Sequence, residues 1–202
     1  MTWEDAYAIG VRRCAAANQR GARHLYGYDP TPEKERHWHG MSAVGEWTVA
    51  ELNGRQWISM GDDRDVPGKG DVEGGLQVRW TDREDGSLIV HRRDSEPFFV
   101  LVVGPKAPLR VVGWVTRQAG QHAGYWRSDV REPAFFVKQE FLEPMDTLPC
   151  CWNCADQQIG GNTFLGMCKW FERHGGEKKE IPPKVVDVGC KHWRPRGEKA
   201  DV

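Results

Sequence analysis

Apolar positions along the chain change period once. Residues 4–26 (EDAYAIGVRRCAAANQRGARHLY) are Ala-rich with apolar residues at helical spacing, which predicts a first helix. The overlapping segment YGYDPTPEKERHW, with two prolines and clustered charge, predicts a loop. Residues 40–52 (GMSAVGEWTVAEL) predict a second helix, with Met41, Val44, Val49 and Leu52 on one face and Asn53-Gly54 as a C-terminal cap.

Beyond Gly54 the pattern becomes that of strands. WISM, LQVRW, SLIVHRR, FFVLVVG and LRVVGWVT are short runs rich in β-branched and aromatic residues, separated by Gly, Pro and Asp. Asp85-Gly86, between two of these runs, is a hairpin signal. A further extended piece, AFFVKQ, follows. The order is helix, helix, then a mixed sheet of four or five strands, an α+β fold.

The chain has 202 residues, enough for one full domain, or for a domain with a small appendage. No apolar run reaches the roughly 20 residues of a membrane span. The first residues, MTWEDAYAIG, lack the basic and apolar regions of a signal peptide, so the expectation is a soluble intracellular protein. The net charge is −1, and residues 150–202 carry 9 Lys and Arg against 7 Asp and Glu. Contact with nucleic acid would therefore rest on local patches rather than on overall charge. Ten tryptophans, several times the chance expectation, are read as filling the core of a compact domain.

Cysteine is distributed unevenly. Cys14 stands alone, and the other five lie between Cys150 and Cys190. A cluster containing Cys-x-x-Cys, without a signal peptide, favours a metal site in a reducing compartment over disulfides. The expected division is a domain of residues 1–149 and a Cys-rich module of residues 150–202.

Candidate chemistry in the first domain centres on acids. Glu46 sits in the second helix beside Gly45, a pairing that predicts close approach of another backbone. Asp71 lies near the end of the Gly- and Asp-rich stretch GDDRDVPGKGDVEGG, and Gln77 and Arg79 share one face of the strand that follows. Carboxylates with a carbonyl oxygen suit Mg²⁺, and a cation beside them can stabilise charge on phosphorus.

With AVGEWTVAEL as an acid-bearing helix and GDVEGGLQVRW as an acid followed by a strand motif, residues 38–142 resemble the PD-(D/E)XK nuclease superfamily, specifically its small phage-encoded members. The resemblance implies a restriction-endonuclease-like mixed sheet with flanking helices, and Mg²⁺- or Mn²⁺-dependent cleavage of DNA phosphodiesters. It implies that Glu46 and Asp71 bind metal, that Gln77 takes the place of the second acid, and that Arg79 takes that of the motif's Lys. Gln77 keeps an oxygen but loses a charge. Arg79 can stabilise charge but, being effectively never deprotonated, cannot act as a base. Glu73 is a further candidate carboxylate, and Asp62, Asp63 and Asp65 are alternative ligands or loop-solvating groups. The implied partner is DNA, with protein partners in a phage DNA-processing or host-targeting complex, in the host cytoplasm. The alternative is a non-catalytic DNA- or protein-binding adaptor of the same fold.

In the tail, Cys151, Cys154, Cys168 and Cys190 are separated by 2, 13 and 21 residues. Four thiolates from three segments can hold Zn²⁺ or a [4Fe–4S] cluster, with Cys150 an alternative first ligand and His192 an alternative last. Cys-x-x-Cys, Cys168-Lys-Trp170-Phe171 and Gly189-Cys-x-x-Trp193 resemble the high-potential-iron-sulfur-like small subunits of some glycyl-radical enzymes. That resemblance implies the same four ligands, with the metal expected to fold the tail rather than carry electrons. A third reading is a redox-sensing iron–sulfur protein.

Smaller signals remain. His37-Trp38-His39 has the residue types of a metal or stacking motif, but in a charged loop its expected role is surface or capping. Arg83, Arg92, Arg93 and Arg117 form a candidate DNA-facing patch, and Lys191, His192, Arg194 and Arg196 a second. The chain contains no GxxxxGK[ST], HExxH or GxSxG, so NTPase, zincin and α/β-hydrolase readings have no support.

Overall fold

The computed structural model describes residues 1–20, 30–58, 70–148, 154, 157–158, 167–177 and 179–181. The chain divides into two compact units, Met1–Met145 and Asp146–Val202.

The first unit opens with α1 (Trp3–Gln19). Thr2 and Asp5 form a capping box, in which the Asp5 N–H donates to Thr2 Oγ1 (3.3 Å) and the Thr2 N–H donates to Asp5 Oδ2 (2.8 Å). The helix stops at Arg20, short of the predicted end. Its buried stripe is narrow and made of small residues: Ala6, Gly10 and Cys14.

Helix α2 (Pro32–Leu52) begins eight residues earlier than its apolar pattern predicts, and this corrects the loop expected over PEKERHW. Thr31 is the N-cap, accepting from the Lys34 N–H (3.4 Å), and Pro32 takes the first helical position, where a missing N–H costs nothing. Glu33 and Glu35 lie in the first turn, where the helix dipole favours acids. Proline and charge here start a helix. The predicted close approach beside Gly45 is also corrected, since a Cβ there would meet Trp80 and Val102 at an ordinary 3.6–3.7 Å. The tight approach is at the crossing of the two helices. A Cβ on Gly10 would lie 2.2 Å from the His39 carbonyl oxygen, and one on Gly40 would lie 2.4 Å from the Tyr7 ring.

The strands are β1 (Leu76–Thr81), β2 (Leu88–Val90), β3 (Phe98–Val103), β4 (Arg110–Thr116), β5 (Trp126–Arg127) and β6 (Ala134–Val137), with the short helix α3 (Arg117–Gly120) after β4. They form two three-stranded sheets, β1-β3-β4 and β2-β6-β5, where one sheet of four or five strands was expected. The Asp85-Gly86 hairpin is corrected with it. β1 runs parallel to β3, and β2 leaves for the other sheet. The turn itself is real, with the Gly86 N–H bonded to the Arg83 carbonyl, but it turns the chain out of one sheet and into the next.

β3 is buried along its whole length, as its uninterrupted apolar sequence FFVLVV requires of a central strand. Phe99, Leu101 and Val103 pack with Leu88, Val90, Val115, Phe135 and Val137 between the sheets. On the other face α2 lies against Val102 and Trp80. The unit is therefore three layers, a helical hairpin on one sheet and that sheet on a second. Truncating Leu101 to Ala would cost about 2–5 kcal/mol.

In the second unit, β7 (Gln157–Gln158), β8 (Met167–Cys168) and β9 (Lys179–Glu180) make a small antiparallel sheet, with α4 (Trp170–Arg173) after β8. Trp170 stacks on His174 at 4.1 Å between ring centres. Among the described residues no helix is long and apolar enough to cross a membrane.

Candidate functional site

Glu46 lies two-thirds of the way along α2, on the face packed against the first sheet, and is 4% exposed. Burial at that level demands partners. Arg13 of α1 supplies two, Nη1 to Oε2 at 2.7 Å and Nη2 to Oε1 at 3.2 Å, and the Trp57 indole N–H donates to Oε2 at 2.9 Å. The fork geometry makes this a strong charge-assisted pair.

Asp71 is held by the extended piece that precedes β1. The Ile58 N–H donates to the Asp71 carbonyl (2.8 Å) and the Asp71 N–H donates to the Leu76 carbonyl (2.8 Å). Gly70, Gly74 and Gly75 adopt positive φ around it, so the chain can fold back on itself in a few residues. The residue is 8% exposed. Its Oδ2 accepts from Gln77 Nε2 (2.7 Å) and from the Val78 N–H (2.8 Å).

Gln77 and Arg79 share a face of β1, as strand period dictates. Arg79 Nη2 reaches Asp94 Oδ2 at 3.0 Å, and the same oxygen accepts from the His91 N–H at 2.8 Å. The Arg79 Nε is buried without a hydrogen-bond partner.

Among the described residues, Glu46, Arg13 and Arg79 act on the charge of Asp71. Burial pushes the Asp71 carboxyl well above its ordinary value, and the neighbouring Glu46 carboxylate pushes it further. The Val78 N–H, Arg79 and Arg13 act in the other direction and do not prevail. The Asp71 carboxyl is thus held toward its protonated form. The site can hold a proton on Asp71 or accept a cation.

The four residues singled out in the sequence thus fall into one neighbourhood, with Gln77 bonded to Asp71 and with Glu46 and Arg79 close enough to Asp71 to act on its charge. Glu73 turns elsewhere, its Oε2 accepting from the Gln56 N–H (3.3 Å). Asp62, Asp63 and Asp65 lie outside the described residues. Sequence reasoning missed Arg13, Trp57 and Asp94, each of which fixes a member of the site. Only Arg13 left a trace, as a cation beside the small-residue stripe of α1.

The proposed arginine patch is largely engaged in local contacts. Arg83 pairs with Asp85, Arg92 covers the Trp126 ring (4.1 Å), Arg93 lies 3.9 Å from Glu132, and Arg117 donates to the Ser95 carbonyl. A cleft of about 330 Å³ opens beside β1, lined by Lys34, Trp38, Ser42, Trp80, Thr81 and Asp82.

Of the four tail cysteines, Cys154 and Cys168 are described. The Gln157 N–H donates to the Cys154 carbonyl (3.2 Å), and Gln157 faces Cys168 across β7 and β8. Cys150, Cys151, Cys190, Lys191, His192, Arg194 and Arg196 lie outside the described residues. No family model, curated protein or solved structure matches this chain.

Proposed function

We propose that the first unit is a restriction-endonuclease-like domain that cleaves DNA phosphodiesters with Mg²⁺ or Mn²⁺. The observation that carries this reading is the pair of buried carboxyls, Glu46 and Asp71, close enough that Glu46 raises Asp71. The donor set suits a hard divalent cation: carboxylate oxygens of Glu46 and Asp71, with Gln77, which here turns its Nε2 to Asp71, able to offer its amide oxygen once that amide rotates. Such a cation would lift the repulsion that raises Asp71. When bound, it supplies Lewis-acid activation of water and of the phosphate.

The chain's own residues do the rest. Gln77 and the Val78 N–H orient Asp71 through Oδ2. Arg79, steadied by Asp94, lends a fixed positive charge to the non-bridging phosphate oxygens. It takes no proton. Cys151, Cys154, Cys168 and Cys190 would hold Zn²⁺ or a [4Fe–4S] cluster, which would supply the stability that folds the second unit. Chelation should then abolish the tail's fold in the intact chain, read by circular dichroism.

A second reading has its own observation. Arg13 forks onto both oxygens of Glu46, so a guanidinium stands where a metal would bind, as in a domain kept for binding DNA or protein without cutting it. Cleavage of plasmid, linear duplex and single-stranded DNA, wild type beside Asp71→Asn, decides between them. The nuclease reading expects metal-dependent cutting that falls at least ~100-fold in the variant. DNA retained but uncut by both proteins establishes the adaptor.

A further inference from the structure

Cys14, Glu35 and His39 meet where α1 crosses α2. The Cys14 Sγ, a Glu35 carboxylate oxygen and a His39 ring nitrogen lie within 4.8 Å of one another. Cys14 is 1% exposed, and the other two are half-buried. The sequence explains the meeting. Glu35 and His39 stand four residues apart on one helical face. Cys14 follows Gly10 by one turn on α1, and His39 precedes Gly40 on α2. Because Gly10 and Gly40 let the helices touch backbone to backbone, Cys14 is held close against that face. Asn18, one turn beyond Cys14, completes the cluster by donating to Glu35 Oε2 (3.1 Å) and to Cys14 Sγ (3.8 Å).

We propose that Cys14, Glu35 and His39 form a binding site for Zn²⁺, separate from the carboxylate pair and from the tail cysteines. Thiolate, imidazole and carboxylate are three ligand types that zinc takes together, at bonds of about 2.0–2.3 Å. Tetrahedral binding places such ligand atoms about 3.5 Å apart, so closing from the observed spacing takes movements of roughly 1 Å. Three protein ligands leave the fourth position to water on the half-exposed side. The Cys14 thiol proton leaves to solvent as the Zn–S bond forms. Asn18 then serves as the outer partner that orients Glu35 through Oε2. Mg²⁺, which prefers six oxygens, is excluded by the sulfur and nitrogen donors. A bound ion would pin α1 to α2 one residue from Arg13, and so steady the fork on Glu46.

The test is a metal count on the intact, reduced chain. Wild type, Cys14→Ser and His39→Gln are dialysed against buffered Zn²⁺ without DNA, their fold is checked by circular dichroism, and bound zinc is measured by elemental analysis. Each variant should hold one equivalent fewer than wild type, whatever the tail cysteines retain. Co²⁺ gives the second reading: the wild-type-minus-Cys14→Ser spectrum should show a thiolate-to-cobalt band with tetrahedral d–d absorption. Should Cys14→Ser not fold, His39→Gln, at the open edge of the cluster, decides through the count and its own difference spectrum. Equal counts in wild type and the folded variants overturn the site, as does a featureless difference spectrum. DNA cleavage enters neither readout, so this proposal and the nuclease reading stand or fall separately.

Discussion

Asp71 and Asp129 are the same residue type with an arginine nearby, and their carboxyls shift in opposite directions. Asp129 lies on the surface, 2.6 Å from Arg127 two residues before it, and that contact draws its carboxyl below the ordinary value. Asp85 does the same with Arg83. Asp71 is buried, with Glu46 beside it and one of its two nearby guanidiniums, Arg13, already forked onto Glu46, and its carboxyl rises. Local sequence made the exposed pairs. The buried acids were assembled by three elements that meet only in the folded chain, and there burial outweighs attraction. An ion pair in water says little about function, whereas a buried carboxyl raised by its surroundings marks a candidate site.

The largest effect should come from removing the cation that makes this buried region tolerable. Arg13→Ala leaves Glu46 and Asp71 facing one another without the fork. Breaking a fully buried pair costs 3–5 kcal/mol, and Arg13 is a quarter exposed, so about 2–3 kcal/mol is expected in urea unfolding. A loss within 0.5 kcal/mol, roughly the scatter of surface substitutions, would show that Glu46 does not depend on the fork.

Asp71→Asn should act in the opposite direction. It keeps an oxygen for Gln77 and the Val78 N–H and removes a carboxyl that burial and Glu46 penalise, so a gain of about 1 kcal/mol at neutral pH is expected, together with loss of metal-dependent cleavage. A destabilised Asp71→Asn would contradict the raised carboxyl.

The pH dependence sharpens the same point. With its folded pKa raised, native Asp71 keeps a proton that the unfolded chain has released. Its contribution to stability therefore falls as pH rises from about 4, the ordinary carboxylate value, and levels off above the raised native pKa. The difference between wild type and Asp71→Asn should widen with pH across that window and then stay constant. A gap that narrows with rising pH has the wrong sign. The smallest effect belongs to the surface: Asp129→Asn should leave the thermal midpoint within the reproducibility of the scan.

How much of this was legible in the sequence depends on the range of the interaction. Strands β1 to β4 and β6 could be read because period-two patterning is local, and β3 because a strand buried on both faces must be apolar throughout. Their division into two sheets could not, since Asp85-Gly86 encodes a turn and not the strand that pairs afterwards. Thr31-Pro32-Glu33 was a local signal of a helix start, hidden by reading proline and charge together as a loop. Glu46, Asp71, Gln77 and Arg79 were found through resemblance and residue type. Arg13 and Asp94, 33 and 15 residues from the groups they hold, could not be found that way. The small residues of α1 hid the helix crossing, because in sequence they look only like a weak apolar face.

The parallel pairing of β1 with β3 carries one more consequence, for the order in which the chain becomes cooperative. β1 bears Gln77 and Arg79, yet its strand partner is reached only after residues 82–97 have sent β2 into the other sheet. Non-local pairing of this kind is slow to form, because the intervening loop loses its freedom before any contact repays it. The acid site should therefore be among the later regions to gain protection from hydrogen exchange during refolding. Lesions in β2 or β6, which contribute none of its residues, should delay it as much as lesions in β1.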